Sequence, residues 1–141
     1  MKRRLAVVAA CFWTQAACFS AAHRRLEAAR DLRAVLFLLR VRDEPYVMRQ
    51  VRPADEYTEA AITQLGSEAT PGNQSIADLR LSRPERLARA LALLASARQK
   101  IAGTDQAAVR CINEAIEALR RASNALGSGL SPKPEPGDQK P

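Results

Sequence analysis

The chain carries two copies of one helical hairpin pattern, and this repeat constrains its fold more than any other feature. The leading helices share an Arg-Leu pair and an apolar stripe at one constant offset, which matches Arg25, Leu26, Ala29 and Leu32 with Arg86, Leu87, Ala90 and Leu93. The trailing helices share a second stripe at another offset, which matches Ala61, Ile62 and Leu65 with Ala115, Ile116 and Leu119. We therefore expect two hairpins that differ mainly in the length of the turn between their helices.

The composition fits a small helical domain. The 141 residues are enough for one modest core, and with 47% apolar but only 4% aromatic residues that core must consist of Leu, Ile, Val and Ala. The predicted fold is all-α, an antiparallel four-helix bundle made of two hairpins over residues 23–126. We place the hairpins at 23–66 and 83–126 and their linker at 67–82.

Local signals set the predicted helix boundaries. Asp43-Glu44-Pro45 ends the first helix near Arg42, because the residue before a proline avoids helical geometry. Pro53 is predicted in the first turn of the second helix. Ser82 and Glu85 have the spacing of a capping box at the start of the third helix, and Gly103-Thr104-Asp105 makes a tight turn before the fourth. The Pro-rich tail at 127–141 is predicted to be disordered.

The first helix is predicted to bury one face and to carry surplus apolar residues on the other. The buried stripe comprises Leu26, Ala29, Leu32, Leu36 and Leu39. Phe37, Leu38 and Val41 lie opposite this stripe. They are either enclosed within the fold, which we favour, or form a contact with another molecule.

The first 22 residues have the pattern of an export signal. Three basic residues precede an apolar segment, and small residues lead to a cleavage site after Ala22. We expect an exported protein, periplasmic or secreted, and the apolar run is too short for a permanent membrane span. Lipoprotein anchoring through Cys11 or Cys18 is the less favoured alternative, because neither cysteine follows a well-formed lipobox.

Charge and arginine content bear on the partner. Loss of Lys2, Arg3 and Arg4 with the signal lowers the net charge from +7 to +4, so much of the basicity belongs to targeting. We therefore do not expect nucleic acid as a partner, and aromatic stacking residues near the basic positions are missing. Arginines crowd the first hairpin, and Arg30 and Arg33 are the candidates for binding an anionic ligand. The competing interpretation is that this arginine content is compositional.

The residues needed for common catalytic and metal sites are scarce. His23 is the only histidine, and the predicted cleavage would make it the N-terminal residue, so we do not expect the usual Ser-His-Asp or Cys-His arrangements; there is also no Gly-rich phosphate loop or CxxC pair. We predict no catalytic, cofactor or metal site. Cys111 would be the only cysteine of the cleaved chain and lies at the margin of the apolar stripe. We favour packing as a small core residue over an intermolecular disulfide.

The runs from Ala22 to Ala34 and from Arg86 to Leu94, with Glu114-Ala115-Ile116, resemble small exported bacterial proteins of unknown function built from paired helical hairpins. This resemblance implies a bundle and an exported location. Because the copies share an apolar stripe but no matching titratable pair, we expect a non-enzymatic protein-interaction or structural module. It would bind a protein partner or its own copy. The alternative is a bundle that binds a small ligand or an anion through the Arg-rich first hairpin.

Overall fold

The structure is a computed structural model that describes residues 3–69, 71–72 and 76–127, with side chains from Ser20 onward except that of Ile76. Within these ranges every regular element is helical. The elements are α1 (Arg3–Arg40), α2 (Pro45–Gln64), α3 (Ile76–Leu79), α4 (Arg83–Ile101) and α5 (Gln106–Gly127). The all-α prediction is therefore confirmed. The predicted disordered tail lies, apart from Gly127, outside the described residues.

The four long helices form a ring in the order α1, α2, α5, α4. The most extensive packing joins α1 to α4 and α2 to α5, and the two hairpins complete the ring. Ion pairs set the direction of α1 against α4, since Arg25 contacts Asp105 at one end and Arg86 contacts Asp43 at the other. These helices are therefore antiparallel. Short turns make each hairpin antiparallel as well, so α2 and α4 point the same way.

The connection from α2 to α4 must consequently run the length of the bundle, and its described residues Glu68 and Gly72 lie against α1. Arg33 holds it at two points: the guanidinium donates to the Glu68 carbonyl (Nε to O, 3.2 Å), and the Arg33 carbonyl accepts from the Gly72 N–H at 3.2 Å. Asp78 of α3 then pairs with Arg89 of α4 at 3.2 Å. We call residues 65–82 the crossover.

The core is aliphatic and rich in alanine, as the composition predicts. Ten buried alanines are distributed over the four long helices, and they let the helix backbones approach closely. The largest side chains that are fully buried are Leu32, Leu36, Ile62, Leu94, Ile101, Ile112 and Leu119. Thr58 is the buried polar residue among those described, and its hydroxyl donates to the Ala54 carbonyl at 2.7 Å.

The expected difference in turn length between the two copies is wrong. Ile101 ends α4 61 residues after Arg40 ends α1, and Gln106 begins α5 61 residues after Pro45 begins α2, so both turns have four residues. One offset relates both hairpins, and it matches buried Ala54 with buried Ala115. The offset that the sequence suggested for the trailing helices is seven residues shorter than this one. Seven residues are about two helical turns, so an apolar stripe shifted by that amount looks the same.

Pro53 is the clearest error in the predicted boundaries, because α2 begins at Pro45 and contains Pro53 in its interior. An interior proline removes one backbone hydrogen bond. Pro53 lies on the exposed side of α2, where water can reach the carbonyl that has lost its donor. The opposite face remains in register, with Val47, Val51 and Ala54 all buried, so packing outweighs the local cost.

Replacing Pro53 with alanine is expected to raise the free energy of unfolding by about 2 kcal/mol, since the interior hydrogen bond is restored. Chemical denaturation followed by far-UV circular dichroism measures the change. Pro45→Ala is the matched control, because Pro45 occupies the first turn of α2, where no internal hydrogen bond is lost. Equal effects at both positions would contradict this account of Pro53.

The predicted burial of Leu26 is also wrong. Leu26 belongs to the apolar stripe of α1 but is 67% exposed. Its repeat counterpart Leu87 is 6% exposed and is enclosed by the α1–α2 turn and the start of α2, including Val41 and Val47. At the opposite end of the bundle Leu26 lies in a shallow groove beside Leu65. Equivalent residues of the repeat therefore differ in burial because the two bundle ends are covered differently.

The predicted capping box at the start of α4 is present. The Ser82 N–H and hydroxyl both donate to Glu85 Oε2, at 2.8 and 2.6 Å. Hydrogen bonding by Ser82 lowers the pKa of the Glu85 carboxyl. The first part of α1 coincides with the predicted export signal, and its backbone continues as one helix through Ala22 to Arg40.

Candidate interaction surface

The five residues predicted as an interaction surface on α1 are not exposed together. Leu38 is 3% exposed and belongs to the core, and Phe37 packs half-buried against that core. Val41 is also half-buried. Arg33 holds the crossover, whereas Arg30 is exposed and has no ion pair within the described part of the chain. Enclosure within the fold, the favoured interpretation, therefore describes Leu38, and the five residues do not make one continuous exposed surface.

Several arginines of the first hairpin are engaged by carboxylates. Arg40 makes two hydrogen bonds to Asp55, at 2.8 Å from Nε and 3.1 Å from Nη2, and also contacts Glu59 at 3.4 Å. The hydrogen bond with Asp55 raises the pKa of Arg40 above its ordinary value. Arg52 pairs with Glu56 one helical turn later, at 2.9 Å. These guanidinium groups are therefore held on the protein surface.

A second cluster joins the α1–α2 turn to α4. Asp43 accepts from Arg83 at 2.9 and 3.1 Å, from Arg86 at 2.6 Å and from the Glu44 N–H at 2.9 Å. The side chains of Asp43 and Arg86 are only 13% and 14% exposed. Hydrogen bonds from Arg83 hold the pKa of the Asp43 carboxyl below its ordinary range, against the opposing effect of burial. We interpret this cluster as a structural clamp.

The repeat does contain a shared ion pair, contrary to the expectation from sequence. Arg25 and Arg86 are equivalent in the two copies, and each contacts an aspartate in the turn of the other hairpin, Asp105 and Asp43 respectively. The distances are 3.4 and 2.6 Å. Asp43 and Asp105 are one position out of register, which hides the pair in an alignment. Its role is to join the hairpins reciprocally.

An open groove lies where the end of α1 meets the first half of α2. Its floor is apolar and consists of Leu39, Met48 and Val51, and its rim consists of Arg40, Arg49, Arg52 and Asp55. The volume is about 290 Å³. Arg49 is exposed and, unlike Arg40 and Arg52, has no ion pair among the residues that the structure describes. We refer to these seven residues as the hairpin-1 groove.

The groove does not follow from the predicted helix boundaries, which start the second helix at Pro53. Pro45 was the available signal. A helix that begins at Pro45 places Met48 and Val51 on one side, because they are three residues apart. Arg49 and Arg52 follow these two residues directly and lie beside them. The face of α2 toward the end of α1 then has both an apolar and a basic part.

The equivalent region of the second hairpin has a different chemistry. Leu39 and Asp55 correspond to Lys100 and Ile116 at the offset of 61 residues. Lys100 pairs with Asp31 at 2.7 Å, so a charged side chain occupies the position of the apolar Leu39. Arg49 corresponds to Arg110, which is also exposed. The combination of apolar floor and basic rim is thus particular to the first copy.

Cys111 is a free thiol, half-buried, and packs against the core on α5. Its position agrees with the favoured packing role, and an intermolecular disulfide stays a prediction. Across the described side chains, no three His, Cys, Asp or Glu residues come together as metal ligands. Among the helical segments searched, none combines the length and apolarity needed to cross a membrane. No known protein family, curated protein or solved structure matches this chain.

Proposed function

We propose that this protein is a non-enzymatic interaction module, exported from the cell, that binds a segment of a partner protein in the hairpin-1 groove. The observation that carries the proposal is the apolar floor of Leu39, Met48 and Val51 beside an arginine-lined rim. Protein interfaces are enriched in Met and Arg, and their strongest contacts commonly insert one anchor side chain into a pocket. Met48 also supplies an adaptable surface, because its side chain is unbranched.

The size of the groove favours a protein segment over a cofactor or metabolite. At about 290 Å³ and open to solvent, it lies at the lower limit of the volumes, roughly 300–1,000 Å³, that enclose small ligands. One or two inserted side chains would occupy it. The anion-binding alternative relied on Arg30 and Arg33, and the engagement of Arg33 with the crossover weighs against that pair.

The repeat supports export with cleavage after Ala22. In the second copy the leading helix begins at Arg83, directly after its cap Ser82. Ala22 is the residue 61 positions before Arg83, so the repeat unit begins where the predicted signal ends. N-terminal sequencing of the native protein tests this part, and an intact Met1 would overturn it.

A photo-reactive amino acid tests the groove as the docking site. We expect a residue of this kind at position 52, on the groove rim, to cross-link one defined segment of a partner in the native compartment. The matched control places it at position 113 on α5, the equivalent position of the second copy, which is also exposed. That site should give no such adduct.

Binding of the partner must also depend on the groove floor. Met48→Asp introduces a charge among the apolar lining residues and is expected to remove the adduct from position 52, with the helical content unchanged. Adducts that persist in Met48→Asp, or that form equally from position 113, would overturn the proposal. Adducts to a second copy of this chain would replace the partner with self-association.

A further inference from the structure

We infer that the segment bound in the hairpin-1 groove presents a carboxylate next to a bulky apolar side chain, and that Arg49 binds this carboxylate. The inference rests on the proposed function, since it names the chemistry of the partner for the same groove. The carboxylate belongs to an acidic side chain within a protein segment. The three rim arginines differ in how carboxylates of the protein engage them.

Two of the rim arginines already have carboxylate partners. Arg40 is bound by Asp55 through two hydrogen bonds of 2.8 and 3.1 Å, and Arg52 is bound by Glu56 at 2.9 Å. Recruiting either for a new anion would require breaking an existing pair. Arg49 has no ion pair within the described ranges, so its five N–H donors are the unused basic group at the rim.

The neighbouring pairs also control where a ligand charge is favourable. Asp55 and Glu59 both contact Arg40, and Glu56 contacts Arg52, so among the described residues Arg49 is the rim cation whose charge no carboxylate contacts. One carboxylate would balance that charge, whereas a second would lie near existing carboxylates without a cation of its own. Bidentate pairing with a carboxylate is the geometry that a guanidinium group favours.

Arg49 and the floor must be occupied together, because both belong to the same small groove. Met48 precedes Arg49 directly, and Val51 lies two residues beyond. A ligand whose apolar side chain enters the groove therefore has its backbone and adjacent residues at the rim. Leucine or methionine next to glutamate or aspartate satisfies both requirements.

The test is a titration of the isotope-labelled full chain with two blocked tetrapeptides at millimolar concentration, followed by backbone amide shifts in NMR. One peptide is acetyl-Gly-Leu-Glu-Gly-amide, and the other has Gln in place of Glu. We expect the Glu peptide to shift groove amides with an affinity about two- to fivefold higher, as an ion pair at an exposed site predicts. Added salt should weaken this preference.

The variants localise the effect. Arg49→Ala is expected to abolish the preference for Glu over Gln, whereas Arg110→Ala, the equivalent change in the second copy, should leave it intact. Equal shifts of the groove amides by both peptides would overturn the carboxylate inference while leaving the groove as the docking site. A preference that survives Arg49→Ala, or no shift of groove amides with either peptide, would overturn it as well. Cross-linking from position 52 tests the proposed function independently of these outcomes.

Discussion

Replacing Leu94 with alanine should lower the free energy of unfolding by about 3–4 kcal/mol, as expected for a large aliphatic side chain that is fully buried. Leu94 is fully buried in α4, which packs against both α1 and α5. Alanine removes part of the buried apolar surface and leaves a cavity that rigid helix backbones cannot fill. Denaturant unfolding followed by circular dichroism measures the loss.

The alanine-rich core makes this cost high. Ala90 and Ala97 lie on the same face of α4 as Leu94 and are fully buried, and side chains this short cannot fill the space that Leu94 would leave. Leu79→Ala is the control, because Leu79 is 57% exposed and should change stability by under about 1 kcal/mol. A similar loss at both positions would contradict the assignment of Leu94 to the core.

The second large effect is expected at Asp43, where Asn should cost about 3 kcal/mol. The substitution removes the negative charge that Arg83 and Arg86 share, and it leaves Arg86, 14% exposed, without its counterion. Glu44→Gln is the control at the adjacent position. Glu44 is 75% exposed and 3.8 Å from Arg83, so its loss should cost less than about 0.5 kcal/mol.

The contribution of Asp43 to stability is expected to depend on pH. The pKa of Asp43 is lowered in the folded state, chiefly by hydrogen bonds from Arg83. Its contribution to stability is therefore complete above the ordinary value of 3.8 and is lost as the pH falls through the lower folded value. The difference in unfolding free energy between the native protein and Asp43→Asn should shrink over that range. A difference independent of pH would show that the carboxylate charge is not the cause.

The features that depend on short stretches of chain were predictable. Apolar residues at spacings of three and four predicted the long helices, and Ser82 with Glu85 predicted the start of α4, because both signals act within one or two turns. Pro53 shows where such reasoning fails. Its local cost predicts a boundary, but the buried face of α2 stabilises the helix through it.

The candidate site could not be predicted for a related reason. The groove requires α2 to begin at Pro45 and to pack at a particular height against Leu39 of α1, which only the assembled bundle determines. Likewise, the reciprocal contacts of Arg25 and Arg86 depend on how one hairpin docks on the other. The sequence alone presents these residues as unpaired charges on separate helices.

Each long helix packs most extensively against its equivalent in the other copy, so the two hairpins form the two halves of a self-complementary interface. The crossover is the single segment of chain that joins these halves. The crossover therefore acts as a tether that sets the effective concentration of one half for the other. A protease cut within residues 65–82 would convert the association of the halves from an intramolecular event into a bimolecular one. The melting temperature of the cleaved protein would then depend on its concentration, which a continuous monomer does not show.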